Sequence, residues 1–114
     1  MRLGMTVCAV MLVAAAGTAF AAKGTRFWNL THAEIDSLQL APAGSTAFGE
    51  NLCLQDDDKS VEADERLQVT GVKSGTYDAK IHDVTGRACS AKNVTVEEGK
   101  VFSISEKELI DCKQ

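Results

Sequence analysis

From Leu67 to Ile104 apolar and polar residues alternate with a period of two, and turn-forming residues interrupt the alternation at short intervals. Such a pattern offers one apolar face to a sheet and no continuous apolar stripe to a helix, which needs a period near 3.6. Leu67-Gln68-Val69-Thr70-Gly71-Val72 alternates, and Tyr77, Ala79 and Ile81 are set against Asp78, Lys80 and His82. Both segments read as half-buried strands with one wet face. Val84-Thr85-Gly86-Arg87 reads as a hairpin turn into a strand over Ala88 to Val96, and Glu97-Glu98-Gly99-Lys100 as a second turn into Val101-Phe102-Ser103-Ile104. The last three strands are therefore expected to form a meander. Upstream, Phe27, Trp28 and Leu30, then Ile35, Leu38 and Leu40, mark two strands with a turn near His32. Six strands and short turns predict an all-β domain, a small antiparallel β-sandwich or open barrel, because a parallel sheet would need helical crossovers. The residues from Glu106 to Gln114 read as a polar tail holding one helical turn.

The N-terminal segment is of a different kind. After Arg2, the stretch from Leu3 to Ala22 has no charged side chain and ends in Ala19-Phe20-Ala21, the small-x-small pattern cut by signal peptidases. Gly4, Thr6, Gly17, Thr18 and many alanines dilute it below what a membrane-spanning helix requires. Residues 1–21 thus read as a signal peptide, Cys8 is discarded with it, and residues 22–114 form a single β domain that is periplasmic or secreted, with no membrane insertion after cleavage. The formal charge of −4, made one unit more negative by loss of Arg2, gives no basic patch for phosphates or membrane surfaces. Nucleic acid is accordingly excluded as a partner class.

Three cysteines remain, Cys53, Cys89 and Cys112, with no C-x-x-C pair, so a thioredoxin-like role is not expected. In an oxidising compartment one disulfide is the default, with one cysteine left over. If Val96 pairs with Val101 across the second turn, antiparallel register sets Cys89 opposite Glu108, and a short turn in the tail brings Cys112 near. Cys89–Cys112 is the favoured bridge over pairings with Cys53.

Phe27-Trp28-Asn29-Leu30-Thr31, Leu38-Gln39-Leu40-Ala41-Pro42-Ala43-Gly44 and Phe48-Gly49-Glu50-Asn51 carry a resemblance that continues through Asp64-Glu65-Arg66-Leu67, Gly75-Thr76-Tyr77-Asp78 and Gly86-Arg87-Ala88-Cys89 to Cys112. The chain resembles a family of small exported proteobacterial β-domain proteins, mostly without assigned activity. The resemblance implies a compact β fold and names no substrate. Members of that family are expected to carry Trp at the Phe48 position and an Asp-x-Asp-Gly turn at Asp56-Asp57-Asp58-Lys59, so the departures here weaken any metal role taken from them.

The segment from Ser45 to Asp64 has almost no apolar periodicity and reads as a long acidic loop. Between positions 50 and 65 seven acids face the single Lys59. Asp56, Asp58, Glu62 and Asp64 are the candidate ligands for a hard cation such as calcium, which takes six to eight oxygens. The calcium-loop template fails at Val61, where the sharp turn wants Gly, and at Leu67, where a bidentate Glu should close the site. A solvated acidic surface is the simpler reading. His32 and His82 lack the spacing of a soft-metal motif, and no nucleophile elbow is present. Asn29-Leu30-Thr31 and Asn93-Val94-Thr95 match a glycosylation pattern by chance. The expectation is a non-catalytic binding module with an unknown protein partner and no cofactor, the alternative being a calcium-like cation binder. Intact-mass measurement of the exported protein is expected to find a chain beginning at Ala22; full-length chain in the cytoplasm would contradict this reading.

Overall fold

A computed structural model describes residues 24–114, so the signal-peptide segment and its cleavage site lie outside the described residues. Seven strands run in chain order: β1 (Thr25–Leu30), β2 (Ile35–Pro42), β3 (Arg66–Val69), β4 (Gly75–Asp83), β5 (Ala88–Val96), β6 (Val101–Ser105) and β7 (Ile110–Lys113). They form two sheets, one ordered β3-β1-β6 and the other β2-β4-β5-β7. The fold is a small β-sandwich.

The alternation fixes which side chains meet between the sheets. Phe27, Leu67, Val69, Phe102 and Ile104 from one sheet face Leu38, Leu40, Ala79, Ile81, Ala91, Val94 and Val96 from the other, all buried. The Phe27 and Phe102 rings lie 5.4 Å apart and tilted by 44°, within the separation at which aromatic pairs attract beyond simple area burial.

Three expectations need correction. First, β5 and β6 do not form a hairpin. β5 pairs with β4 and β7, whereas β6 crosses to the other sheet and runs parallel to β1. Alternation tells which face of a strand is buried but not which sheet receives it. The turn decides here: Gly99, at φ 82°, donates its N–H to Thr25 Oγ1 at 3.0 Å, and Arg26 N–H donates to the Lys100 carbonyl at 3.1 Å. The chain is thereby delivered to β1, giving one parallel pair in an otherwise antiparallel fold.

Second, the polar tail contains a strand. A 3-10 turn over Glu106–Glu108 leads into β7, which lies on the free edge of β5. Its four residues are all exposed, so no apolar alternation announced it. Cys89 and Cys112 are bonded, S–S 2.06 Å, as expected, but by this β5–β7 pairing and not by a continued β5–β6 register. The bridge closes a loop with a sequence separation of 23, for which chain entropy gives a stabilisation of about 3 kcal/mol.

Third, the 45–64 segment is packed as well as acidic. Leu52 and Cys53 sit in a 3-10 turn over Leu52–Gln55 and are buried, and Val61, also buried, forms a two-way bridge with Ile35 at 2.9 and 2.8 Å. The polar side chains around them close sheet edges. Asn51 accepts from Leu38 N–H and donates to the Asp36 carbonyl, both at 3.0 Å. Gln55 accepts from Thr70 N–H at 2.8 Å and donates to its carbonyl at 3.2 Å. Each amide imitates a strand residue, satisfying β2 and the end of β3 without adding a strand.

Asn29 holds this assembly at its centre with no exposed surface. Its Nδ2 donates to the Ala33 and Val61 carbonyls, both at 2.9 Å, and its Oδ1 accepts from Thr31 N–H at 2.9 Å and Thr31 Oγ1 at 2.7 Å. Replacing Asn29 by Ala orphans these partners in the interior, and each buried unsatisfied group costs about 1–3 kcal/mol. Asn29→Ala is expected to lower unfolding free energy by about 3 kcal/mol in urea melts, whereas Asn93→Gly, at an exposed left-handed position of β5 (φ 56°) that glycine tolerates, is expected to cost far less; equal losses would remove Asn29 from this role.

Candidate functional site

The outer face of the four-stranded sheet carries the residues that the alternation leaves wet. Register sets Ser37 beside His82 and Gln39 beside Lys80, then Lys80 beside Ser90 and His82 beside Ala88. At one end of this face the segment after β2 folds back over the sheet. Its Gly44 N–H bonds the buried Asp78, and Phe48 lies against Lys80, whose Nζ is 4.7 Å from the ring centre. Gln39 Nε2 holds that lap by donating to the Gly49 carbonyl at 3.0 Å. The remainder of the face is a trough of about 340 Å³ lined by Ser37, Gln39, Lys80, His82, Ser90 and Lys113, with Asp111 at the β7 side.

The trough is rich in hydrogen-bond donors and rests on a rigid sheet. Its polar groups come from four adjacent strands, so their spacing is set by ladder geometry and not by a mobile loop. His82 Nδ1 lies 2.6 Å from Asp36 Oδ1. Ser37 is the cross-strand neighbour of His82, yet among the described residues no serine hydroxyl is hydrogen-bonded to the ring. Asp111 adopts φ 53°, a left-handed conformation unusual for a non-glycine residue. It sits where β7 leaves regular pairing, between the Ala88–Lys113 and Ser90–Ile110 partners.

A buried carboxylate anchors each end of this sheet. Asp78 Oδ2 accepts from Gly44 N–H at 2.9 Å and Oδ1 from Asn93 N–H at 3.2 Å. Those backbone donors, aided by Lys92, hold its carboxyl below the usual range against burial. Burial pushes Asp83 up, but the Thr85 hydroxyl, the Arg87 guanidinium and the backbone N–H groups of Arg87 and Thr85 outweigh it, and its carboxyl is lowered on balance. Arg87 reaches from Asp83, Nε to Oδ2 at 3.0 Å, to Glu106, Nη1 to Oε2 at 2.7 Å. The guanidinium, with His32 N–H, pulls the Glu106 carboxyl down to about 2, while both carboxylates raise Arg87. One charged chain thus ties the β4–β5 hairpin to the β6–β7 connection.

Of the four residues expected to bind a cation, Asp56 and Asp64 use their carboxylates within the fold. Asp56 accepts from Asp58 N–H at 2.9 Å. Asp64, at φ 70°, accepts from the Trp28 indole N–H at 3.0 Å, and Glu62 N–H is held by the Glu65 carboxylate at 2.7 Å. Asp56, Asp58, Glu62 and Asp64 are not brought into one cluster, and among the described residues no three His, Cys, Asp or Glu side chains form a metal-holding group. His32 stands near Glu106, its Nδ1 4.0 Å away. Cys53 is buried beside the Ile35 carbonyl, and burial, reinforced by Asp36 and Asp56, pushes its thiol up to about 12. It is a core residue without thiolate reactivity at neutral pH. A second cleft, of about 190 Å³, opens between Leu40, Leu52, Val72 and Tyr77.

The alternation displayed Lys80 and His82 as the wet side of one strand but did not show that Ser37, Gln39 and Ser90 join them in one surface. Asp111 and Lys113 join it only through β7, which carries no alternation signal. The chain matches no family model, no curated protein and no solved structure. Among the described residues no helix is long and apolar enough to cross a membrane, and the disulfide fits an oxidising environment.

Glu106, Asp83 and Asp78 all titrate lower in the folded protein than in the unfolded chain. The unfolded state therefore binds more protons as pH falls, and stability is lost on acidification. The contribution of Glu106 is fully present above its ordinary value of 4.5 and disappears as pH falls through about 2. Urea midpoints are expected to fall across this window, with a shallower acid slope for Glu106→Gln; an unchanged slope would show that the Arg87 pairing contributes nothing to folding.

Proposed function

We propose that this chain is an exported, non-catalytic binding module and that the trough on its four-stranded sheet receives a carboxylate-bearing ligand, such as an acidic side chain or the C-terminus of a partner protein. One observation carries this reading: Lys80, Lys113, Gln39, Ser37, Ser90 and His82 line one recess in a protein whose net charge is negative. Two lysines face the single carboxylate of Asp111 in that lining, so the recess is cationic on balance, and Asp36 is already engaged by His82. A carboxylate accepts several such donors at once, and charge-assisted bonds of this kind are stronger than neutral ones. Among the described residues no nucleophile is hydrogen-bonded to the Asp36–His82 pair, which favours a binding role over a catalytic one.

The export part of the reading rests on Ala19-Phe20-Ala21 after an uncharged run, and on the Cys89–Cys112 bridge. Calcium binding would require Asp64 to leave the Trp28 indole and the remaining acids to converge. A thermal melt with calcium and with chelator separates the two readings, since a ligand of the folded state alone raises its stability.

Titration of isotope-labelled protein with a short glutamate-rich peptide is expected to shift the amide resonances of Lys80, His82 and Ser90. The double change Lys80→Ala and Lys113→Ala is expected to weaken the interaction by about tenfold or more, with the melt little altered. Peptide shifts confined to other surfaces, or none at about millimolar peptide, would overturn the trough as the binding surface.

A further inference from the structure

A sandwich of two open sheets has four edges, and an unprotected edge is a template for strand pairing. Three are blunted here. β2 is closed by Asn51, by Gly49 N–H donating to the Leu40 carbonyl at 2.9 Å, and by the Val61 bridge. β3 is four residues long, carries Arg66, and is followed by Thr70, which Gln55 closes. β7 is also four residues long, is broken by the left-handed Asp111, and carries Asp111 and Lys113. β6 differs: Val101-Phe102-Ser103-Ile104-Ser105 has no charged residue, no proline and no irregular backbone angle.

The phase of the β1–β6 ladder tells which β6 groups are spare. Arg26 is the Cα partner of Val101 and donates to the Lys100 carbonyl. In parallel pairing this phase turns the Lys100 carbonyl and the N–H and C=O groups of Phe102 and Ile104 toward β1. Val101 and Ser103 therefore direct both of their backbone groups away from it. No hydrogen bond among the described residues uses those groups. The set ends at Ser105, whose N–H is closed by Glu108 Oε1 at 2.8 Å.

We propose that two copies of this chain pair antiparallel along β6, with Val101 of one copy opposite Ser103 of the other. The reason for a second copy is self-complementarity. In this register the two N–H and two C=O groups offered by each copy satisfy those of the other with none left over, and the Glu108 cap stays in place. The operation is a twofold rotation, so the interface closes and does not propagate. Phe102, 5% exposed at the sheet margin, meets its counterpart in the close non-hydrogen-bonded position. Val101, 40% exposed, becomes the diagonal neighbour of its own copy on the outer face. The two three-stranded sheets join into one.

The test is sedimentation and amide exchange over a concentration series. A small interface of this kind is expected to associate weakly, so the wild-type chain is followed up to about millimolar. Expected are a concentration-dependent rise to dimer mass and slowed exchange at the Val101 and Ser103 amides. Ser103→Pro deletes an N–H that β1 does not use, and proline is tolerated at such an edge position; it is expected to remain folded and monomeric. Val101→Lys keeps every backbone donor and sets two like charges diagonally across the axis. It is expected to weaken the dimer by about tenfold at low salt and to recover partly in high salt. A wild-type chain that stays monomeric at the highest concentration overturns the proposal, as does a folded Ser103→Pro chain that still dimerises. If Ser103→Pro fails to fold, unchanged dimerisation of Val101→Lys overturns it.

Discussion

The sandwich depends on one buried amide. Asn29 uses both donors and both acceptor positions of its side chain on the Thr31–Ala33 bend and the Val61 carbonyl, while its backbone N–H and C=O bond Glu65 and Asp64. Remove those bonds and three things lose their reference at once: the crossing from β1 into the second sheet, the return of the long loop, and the entry into β3. A polar group without exposed surface is tolerable only when fully bonded, because desolvation is otherwise uncompensated. Full satisfaction makes the arrangement specific, since a shift of any of the three segments breaks bonds that water cannot replace.

The far end of the molecule is organised by charge and covalency. Arg87 spans Asp83 and Glu106, and Cys89–Cys112 fastens β7 beside them. Core packing contributes little to β7, whose residues are all exposed. The bridge does for this strand what apolar burial does for the other six, by limiting the freedom of the tail in the unfolded state. The wall that β7 gives the trough therefore depends on an oxidised cysteine pair.

How much of this was legible in the sequence follows from what sequence patterns encode. Period-two alternation over Leu67–Val69, Tyr77–Ile81, Ala88–Val96 and Val101–Ile104 marked the strands and their buried faces, and hence an all-β sandwich. Alternation is blind to partners, so the placement of β6 beside β1 was invisible; a hydroxyl from Thr25 and one carbonyl at Lys100 settle it. β7 was invisible because nothing on it is buried. In the loop, seven acids hid a second role from pattern reading: Asn51, Leu52, Cys53, Gln55 and Val61 fill the core and close edges. Of the trough, the polar positions on β4 were readable as a wet face. Their convergence was not, because it requires strand order and the lap of Phe48 over Lys80.

The acidic loop and the donor-rich trough are two consequences of one division of labour. The loop runs along the β2 edge to the end of β3, and its amides and apolar residues turn inward, while the carboxylates of Asp56, Asp64 and Glu65 hold its turns and the Trp28 indole at the surface. That side is closed to further strands. The trough lies on the outer face of the four-stranded sheet, while the β6 edge belongs to the other sheet. Pairing along β6 would extend the three-stranded sheet within its own plane and leave the face of the four-stranded sheet uncovered. A dimer formed there would present two troughs, each with its own β7 wall, so a partner offering two acidic segments could engage both and gain avidity without any new contact in either trough.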